Sequence, residues 1–482
     1  MGTTPGPTLS EAKRRLLEKL IKGDPAQSPA SNQTITPRPE GETTPLGLAQ
    51  EQVCRRNLRA RGKPPLYNET ITVHRKGPLE PALLERCFTE ILRRHEVWRS
   101  SFLLDSSQYV QVIHPAPFTM KIPVLDLRDL PGGEREAEAA RLASEQAQKP
   151  FDLEQGPLLR PLLLKMDDAS CRIIVIAHQS IVDGVSAYQV LPTELAALYE
   201  AYSTGMASPL PELKIQYGDF ARWQRQWLQG ETRNRQLMYW EKQLAGELPI
   251  LRWPQMAFRP SSESFRGVVH SFTSPPGFAE MVRDRGHAQG ATPFMVLLAG
   301  FTALLHIYTE QNDILVGTLS PAGRKRSEVQ GLLGYFLNPV ALRYTISTEF
   351  TFRDLLLETR RLISEAISND DVPLEFVAEQ LNLKSSRDPF VKVALSLQPQ
   401  VPTVESGWNV TSMDAQSGGT VWDLYLAFIE GEHGLEGRAQ YNPDIFEGAV
   451  ITAMLGDLHK VIWTGVSDPT RRVKDLLQNK DR

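Results

Sequence analysis

Helical and strand patterns alternate along this chain in two successive runs, and this alternation is the feature that most limits its possible folds. In the first run, helical spacing at 80–94, 132–148 and 186–202 alternates with β-branched segments at 69–74, 110–113 and 171–177. In the second run, helical spacing at 220–244, 292–308 and 352–368 alternates with strand-like segments at 268–272, 313–318, 391–397 and 424–430. The pattern predicts an α/β protein built from two lobes of similar size.

The first 44 residues have a different character. Residues 9–23 place leucine and isoleucine side chains at helical spacing, which predicts one short amphipathic helix. Residues 24–44 are rich in Pro, Ser and Thr, the composition of an extended linker. We therefore predict four parts, which are a helix and linker at 1–44, a first lobe at 45–217, a second lobe at 218–470 and a C-terminal linker at 471–482.

Charge and cysteine content exclude several classes of protein. Lys and Arg number 53 against 57 Asp and Glu, which gives a net charge of −4, and no long basic block is present, so we expect no nucleic-acid partner. The three cysteines are scattered without CxxC spacing, which favours a reducing compartment and a cytoplasmic protein.

The uncharged stretch 288–309 contains several polar residues and begins a helical pattern at Thr292-Pro293. It therefore predicts a buried helix and not a membrane span.

An apolar strand pattern at 171–177 leads into His178, then into a short loop with Asp183 and Gly184, and then into a helical pattern. Strand ends that deliver polar groups to a loop commonly form sites. A single histidine at a strand end is more often structural, and Asp183 could simply cap the following helix. Gly184 could allow close backbone approach in a narrow channel or serve as a turn glycine.

The residues from His178 to Gly184 read His-Gln-Ser-Ile-Val-Asp-Gly, close to a family motif His-His-x-x-x-Asp-Gly. Further motifs of that family follow in order: PLGLAQEQV at 45–53, RRHEVWRSSF at 93–102, YGDFARWQRQWL at 217–228 with YWEKQL at 239–244, GLLGYFLNPVALR at 331–343, NDDVPLEFV at 369–377 and SSRDPF at 385–390. The chain thus resembles the condensation domains of nonribosomal peptide synthetases, which belong with chloramphenicol acetyltransferase.

The resemblance implies a V-shaped pseudo-dimer of two chloramphenicol acetyltransferase-like lobes with a tunnel at their interface. It also implies upstream and downstream carrier proteins that bring phosphopantetheine arms with tethered thioesters, together with adjacent synthetase domains as partners. No cofactor or metal is expected on the chain itself, because phosphate-loop, dinucleotide and metal-ligand spacings are all missing from the sequence. The leading helix and linker also look like the tail that follows a carrier protein, so we expect an excised piece of a larger synthetase. We expect a monomer, because the resemblance implies that two lobes in one chain supply the interface that chloramphenicol acetyltransferase makes between subunits.

The second histidine of the family motif, assigned as a base or positioning group, is replaced here by Gln179. A carboxamide has no useful basicity near neutral pH, whereas imidazole titrates near pH ~6.5. His178 should point away from the tunnel, because consecutive side chains on a strand face opposite sides. Gln179 could still orient an amine or a thioester by hydrogen bonding.

The resemblance implies that Asp183 pairs with an arginine, for which Arg94, Arg99 and Arg343 are candidates. Together with Asn338, these arginines are the predicted structural or tunnel residues outside the central motif. We interpret Arg324-Lys325-Arg326 as a solvated loop, with contact to an acidic carrier protein or to a phosphopantetheine phosphate as the alternative.

Our leading hypothesis is a condensation-type domain with a degenerate site, non-elongating or slow, in a nonribosomal peptide or hybrid polyketide assembly line. The alternatives are an active amide-forming domain that uses Gln179 for positioning and a site-directed inactive variant. A CoA-dependent acyltransferase is more distant, as is an epimerisation domain. A heterocyclisation domain would have Asp in place of His178.

Overall fold

The structure is a computed structural model that describes residues 34–105, 108–253, 264–383, 390–398, 407–411, 415–431 and 434–478. The helix predicted at 9–23 and most of the motif at 385–390 lie outside the described residues.

The first half of the chain forms most of one lobe. Its helices are α1 (Leu48–Arg59), α2 (Pro81–Arg94), α3 (Gly132–Ala147) and α4 (Leu191–Ser203), and its strands are β1 (Thr44–Pro45), β2 (Asn68–Lys76), β3 (Ser100–Asp105), β4 (Gln108–Ile113), β5 (Val124–Asp126), β6 (Leu159–Asp167) and β7 (Ser170–His178). Strands β1, β4 and β3 form a small separate sheet.

The second half forms most of the other lobe, although its segments Tyr217–Trp227 and Trp408–Thr411 pack on the first. Its helices are α5 (Tyr217–Trp227), α6 (Gly230–Gln243), α7 (Phe278–Ala288), α8 (Pro293–Thr309), α9 (Phe352–Ile367), α10 (Leu374–Gln380) and α11 (Gly448–Ser467), and its strands are β8 (Val268–Thr273), β9 (Asp313–Ser320), β10 (Asn338–Thr345), β11 (Val393–Leu397), β12 (Trp408–Thr411), β13 (Leu424–Gly431) and β14 (Gly434–Tyr441). Six of these strands form one mixed sheet in the order β10-β9-β11-β13-β14-β8.

Strand β12 does not join that sheet. It crosses to the first lobe and pairs antiparallel with β2, with Trp408 opposite Arg75, so the first lobe's main sheet has the order β12-β2-β7-β6-β5. The indole Nε1 of Trp408 donates a hydrogen bond to Glu200 at 3.0 Å. The first lobe is therefore completed by a strand from the second half, while the lobe boundaries drawn from the sequence remain predictions.

Strand β7 lies at the centre of the first lobe's sheet and is buried on both faces. Ile173, Val175 and Ala177 pack into the core that contains α2 and α4, while Ile174 and Ile176 pack beneath α3. A strand covered on both faces reads as a continuous apolar run, which explains the sequence CRIIVIA before His178.

Most predicted elements are confirmed within a few residues, with two informative differences. The long helix predicted at 220–244 is two helices, α5 and α6, separated near Leu228. The helix predicted from residue 186 begins with a turn of π-helix at Ser186–Val190 before α4 continues it.

The uncharged stretch 288–309 contains the buried helix α8, whose N-cap Thr292 accepts a hydrogen bond from the Met295 amide at 3.3 Å, as predicted. In the described part of the chain, no single helix has the length and apolarity to cross a membrane. Helices α7 and α8 meet that test only as a pair, and the pair is bent by 100°.

Candidate active site

The motif residues form the end of β7 and the turn that follows it. The backbone N–H of Gln179 donates a hydrogen bond to the backbone carbonyl of Tyr67 at 2.7 Å. A short 3-10 turn spans Gln179–Ile181. Because this turn breaks the strand alternation directly after His178, side chains 178 and 179 are directed to different surroundings.

His178 is fully buried and does not line the cavity described below. Its Nδ1 accepts a hydrogen bond from the Ser180 amide at 3.3 Å, which places the proton of the neutral ring on Nε2. The ring packs edge-on against Tyr67 and Phe151, and burial together with the nearby charge of Arg160 lowers the pKa of His178 to about 3. His178 thus has no acceptor atom free for a substrate proton.

A cavity that is partly open to solvent separates the sheets of the two lobes, and together with the adjoining open space it occupies about 1440 Å³. Gln179, Asp183 and Gly184 line it from the first lobe, and Tyr425 and Arg438 line it from the second lobe's sheet. The carboxamide of Gln179 makes no hydrogen bond to any residue that the structure describes. Gln179 is therefore the motif side chain available to a molecule in the cavity.

Asp183 is paired with Arg324, which corrects all three candidates drawn from the sequence. The Arg324 guanidinium donates to both carboxylate oxygens, at 2.8 Å from Nη2 and 3.0 Å from Nε. The amides of Ser186 and Phe336 donate to the same carboxylate at 2.8 and 3.2 Å. The interpretation that Asp183 caps the following helix is also correct, since Ser186 lies in the first turn after the loop.

Arg324 itself is buried and fully hydrogen-bonded. Its remaining donors reach the carbonyls of Val329 and Leu332, each at 2.8 Å, and its guanidinium stacks 4.1 Å above the centre of the Phe336 ring. The interpretation of residues 324–326 as a solvated loop is wrong for Arg324, because its charge is neutralised inside the protein. Lys325 and Arg326 form ion pairs with Asp370 and Glu328.

Arg94 and Arg99 have structural partners away from the cavity. Arg94 donates to Glu194 at 2.9 Å and to the Pro211 carbonyl at 2.8 Å. Arg99 donates to the carbonyls of Leu92 and His114.

Asn338 and Arg343 also hold the fold together and do not line the cavity. The Asn338 amide donates to the carbonyls of Asp370 and Val372 at 2.5 and 2.9 Å. Arg343 pairs with Asp313 on the neighbouring strand at 2.7 Å. Asp183 binds the amide of Phe336, just before the start of β10, whereas Arg343 lies near the end of that strand.

The architecture around the cavity agrees with the comparison to known proteins. The family model of the condensation domain matches residues 42–482. This chain belongs to the condensation domain family.

Relatives are consistent with the same family, and solved structures show the same fold. A linear gramicidin synthase of Brevibacillus parabrevis is 36% identical over 91% of this chain, and chondramide synthase of Chondromyces crocatus is 34% identical over 91%. The chain spans only 6% and 11% of the length of these two relatives. The X-domain from teicoplanin biosynthesis superposes with a TM-score of 0.79 at 23% identity, covering 92% of this chain and 99% of that one.

The first condensation domain of the calcium-dependent antibiotic synthetase, in complex with a substrate analogue, also superposes with a TM-score of 0.79, at 20% identity. That match covers 90% of this chain and 99% of the other. The resemblance drawn from the motifs is confirmed, and so is the two-lobed α/β fold.

Proposed function

We propose that this condensation domain works in a nonribosomal peptide or hybrid polyketide-peptide assembly line. It would bind an acyl or peptidyl donor and an aminoacyl acceptor, each tethered to a carrier protein, in the cavity between its lobes. We propose that the phosphopantetheine arms come with the carriers and that the chain itself needs no cofactor of its own. The observation that supports this proposal is a cavity lined by both lobes with the motif residues Gln179, Asp183 and Gly184 in its wall.

The chemistry of Gln179 sets the expected rate. Loss of a general base costs ~10²- to 10⁴-fold in rate. Orientation of two bound reactants can contribute ~7–11 kcal/mol, more than that loss. The Gln179 carbonyl can accept a hydrogen bond from an amine, and its amide can donate to a thioester oxygen. We therefore propose that Gln179 positions the reactants and that the domain condenses slowly or acts as a non-elongating element.

The test is intact-mass detection of amide product on the acceptor carrier, with cognate donor and acceptor carriers loaded. We expect Gln179→His to raise the rate by about 10²-fold or more over the parent domain. Gln179→Ala should fall below the parent, because it removes both hydrogen bonds. Gln52→His is the matched control, since it places the same ring elsewhere in the cavity wall and should give no gain.

Rapid multiple turnover by the parent, with no gain in Gln179→His, would contradict the proposed slow or non-elongating role. Complete silence of parent and variant alike, with carriers still bound, would show that the domain is a non-elongating element whose defect extends beyond Gln179.

We further propose that the domain is a monomer in the cytoplasm. Its two lobes already supply the interface that encloses the cavity. Cys54, Cys87 and Cys171 are buried and free in the described chain, which is consistent with a reducing compartment.

A further inference from the structure

The cavity contains one carboxylate that the fold does not use. Three acidic residues are found among its described lining residues, namely Glu69, Asp183 and Glu375. Asp183 is held by Arg324, and Glu375 forms an ion pair with Arg56. The side chain of Glu69 makes no hydrogen bond or ion pair with any residue in the described ranges, although the charge of Arg438 acts on it. Its carboxylate is therefore available to a molecule in the cavity.

The position of Glu69 connects it to the motif. Glu69 lies on β2 opposite Ala177 of β7. The backbone N–H of Gln179 donates a hydrogen bond to the carbonyl of Tyr67, which lies on the segment that leads into β2. Tyr425 on β13 and Arg438 on β14 line the cavity. The adjacent residues Leu426 and Ala439 point to the opposite face, into the second lobe's core, because side chains alternate along a strand. Burial raises the pKa of Tyr425 to about 12; the hydrogen bond with Ser396 and the charge of Arg438 oppose that rise, and the charge of Glu69 adds to it. Glu69, Tyr425 and Arg438 line the same cavity.

The α-amino group of the acceptor is a suitable partner for this carboxylate. An α-amino group has a pKa near ~7.7–8 and arrives mostly as an ammonium ion, which must lose a proton before nitrogen can attack. Burial raises the pKa of Glu69, which brings the carboxyl group closer to the amine in basicity. No histidine lines the cavity among the described residues.

We propose that Glu69 binds the ammonium group of the acceptor and takes its first proton before attack, while the general base that a histidine at position 179 would supply during attack stays missing. This assignment rests on the proposed function. The ammonium proton moves to the Glu69 carboxylate, and the nitrogen lone pair then forms the C–N bond at the donor carbonyl. The C–S bond breaks with its electron pair leaving on sulfur, the second nitrogen proton moves to sulfur to give the thiol, and Glu69 returns its proton to solvent through the open cavity.

The test uses binding, so that it does not depend on turnover. The probes are alanyl-pantetheine and propionyl-pantetheine with an amide in place of the thioester, which differ only in the amino group. By titration calorimetry, the purified chain should bind the alanyl probe about 10-fold more tightly than the propionyl probe, because a charge-assisted hydrogen bond is made only to the amine.

Glu69→Gln should lose this preference and keep its affinity for the propionyl probe. Glu69→Val is the second variant, with a side chain suited to a strand. Glu375→Gln is the matched control, since it removes a carboxylate already paired with Arg56 and should keep the preference.

Equal discrimination by the parent and by both folded Glu69 variants would overturn the assignment while leaving the proposed function intact. Failure of the parent to bind either probe would overturn the acceptor site itself, and with it both the proposed function and the role of Glu69.

Discussion

Arg324 and Asp183 show how much a single residue pair contributes to this site. The two side chains come from different lobes and are both buried, so removal of one leaves an uncompensated charge inside the protein. We expect Arg324→Met to lower the free energy of unfolding by about 3–5 kcal/mol in urea titrations.

The control for that prediction is Arg361→Met, which breaks exposed ion pairs on α9 and should cost less than ~1 kcal/mol. Equal losses in the two variants would show that the Arg324–Asp183 pair has no special weight.

His178 makes stability depend on pH. Its pKa is lowered to about 3 in the folded chain, whereas the unfolded chain binds a proton at this residue near pH ~6.5. The contribution is therefore complete above pH ~6.5 and is lost as pH falls toward 3. Between pH 7 and pH 5, we expect the parent to lose about 2 kcal/mol more stability than His178→Gln, measured by urea unfolding at each pH. Parallel losses would contradict the buried, neutral state of His178.

At the site, the sequence could predict the directions of side chains that are neighbours along the chain. It could not predict which distant residue pairs with them after folding. Strand alternation predicts correctly that His178 faces away from the cavity, although Gln179 itself lies in the 3-10 turn that follows β7. Asp183 needed an arginine, and the true partner is Arg324, 141 residues later. Its only signal was a position directly after an apolar strand, the same signal that pointed to His178.

Helix α11 offers two glycines that should respond in opposite ways to the same substitution. A methyl group at Gly456 would meet nothing within 4 Å, whereas one at Gly465 would clash with the ring of Phe352. Gly456→Ala should therefore stabilise the fold by up to ~1 kcal/mol through helix propensity. Gly465→Ala should destabilise it by about 1–3 kcal/mol through overpacking. Thermal unfolding of both variants checks the signs, and a stabilised Gly465→Ala would refute the tight packing of α11 on α9.

Among the elements, the sequence predicts several strong helical patterns correctly, but it misses helices α1 and α11 as well as weaker strand patterns. Helix α8 was predicted because its apolar run is uninterrupted from its Thr292 cap. Strands β6 and β14 were not assigned, since Pro161 interrupts the first and glycines dilute the second. The break between α5 and α6 was hidden by aromatic residues that keep helical spacing up to Trp227, which stacks on Trp223 at 5.3 Å.

At the scale of the whole molecule, segments of the second half contribute to the core of the first lobe. Leu332, Phe336 and Trp408 from the second half pack among the buried side chains of the first lobe. We therefore expect one cooperative unfolding transition, with far-ultraviolet circular dichroism and tryptophan fluorescence changing together in urea. Trp408→Ala should move both curves by about 3–5 kcal/mol without separating them.

Trp463→Ala is the matched control for that variant, because Trp463 is 47% exposed and should change stability by less than ~0.5 kcal/mol. Two separate transitions in the parent would contradict the coupling of the lobes through these segments.

The crossing of β12 also limits how such a domain can be recombined. A chimera joined between residues 217 and 218 would take the first lobe from one parent and its edge strand from the other, so β2 would pair with a foreign Trp408–Thr411 segment. Exchange of the first lobe is therefore an exchange of two separate stretches of the gene. A junction chosen only from the order of the lobes along the chain therefore builds one β-sheet from strands of two different parent proteins.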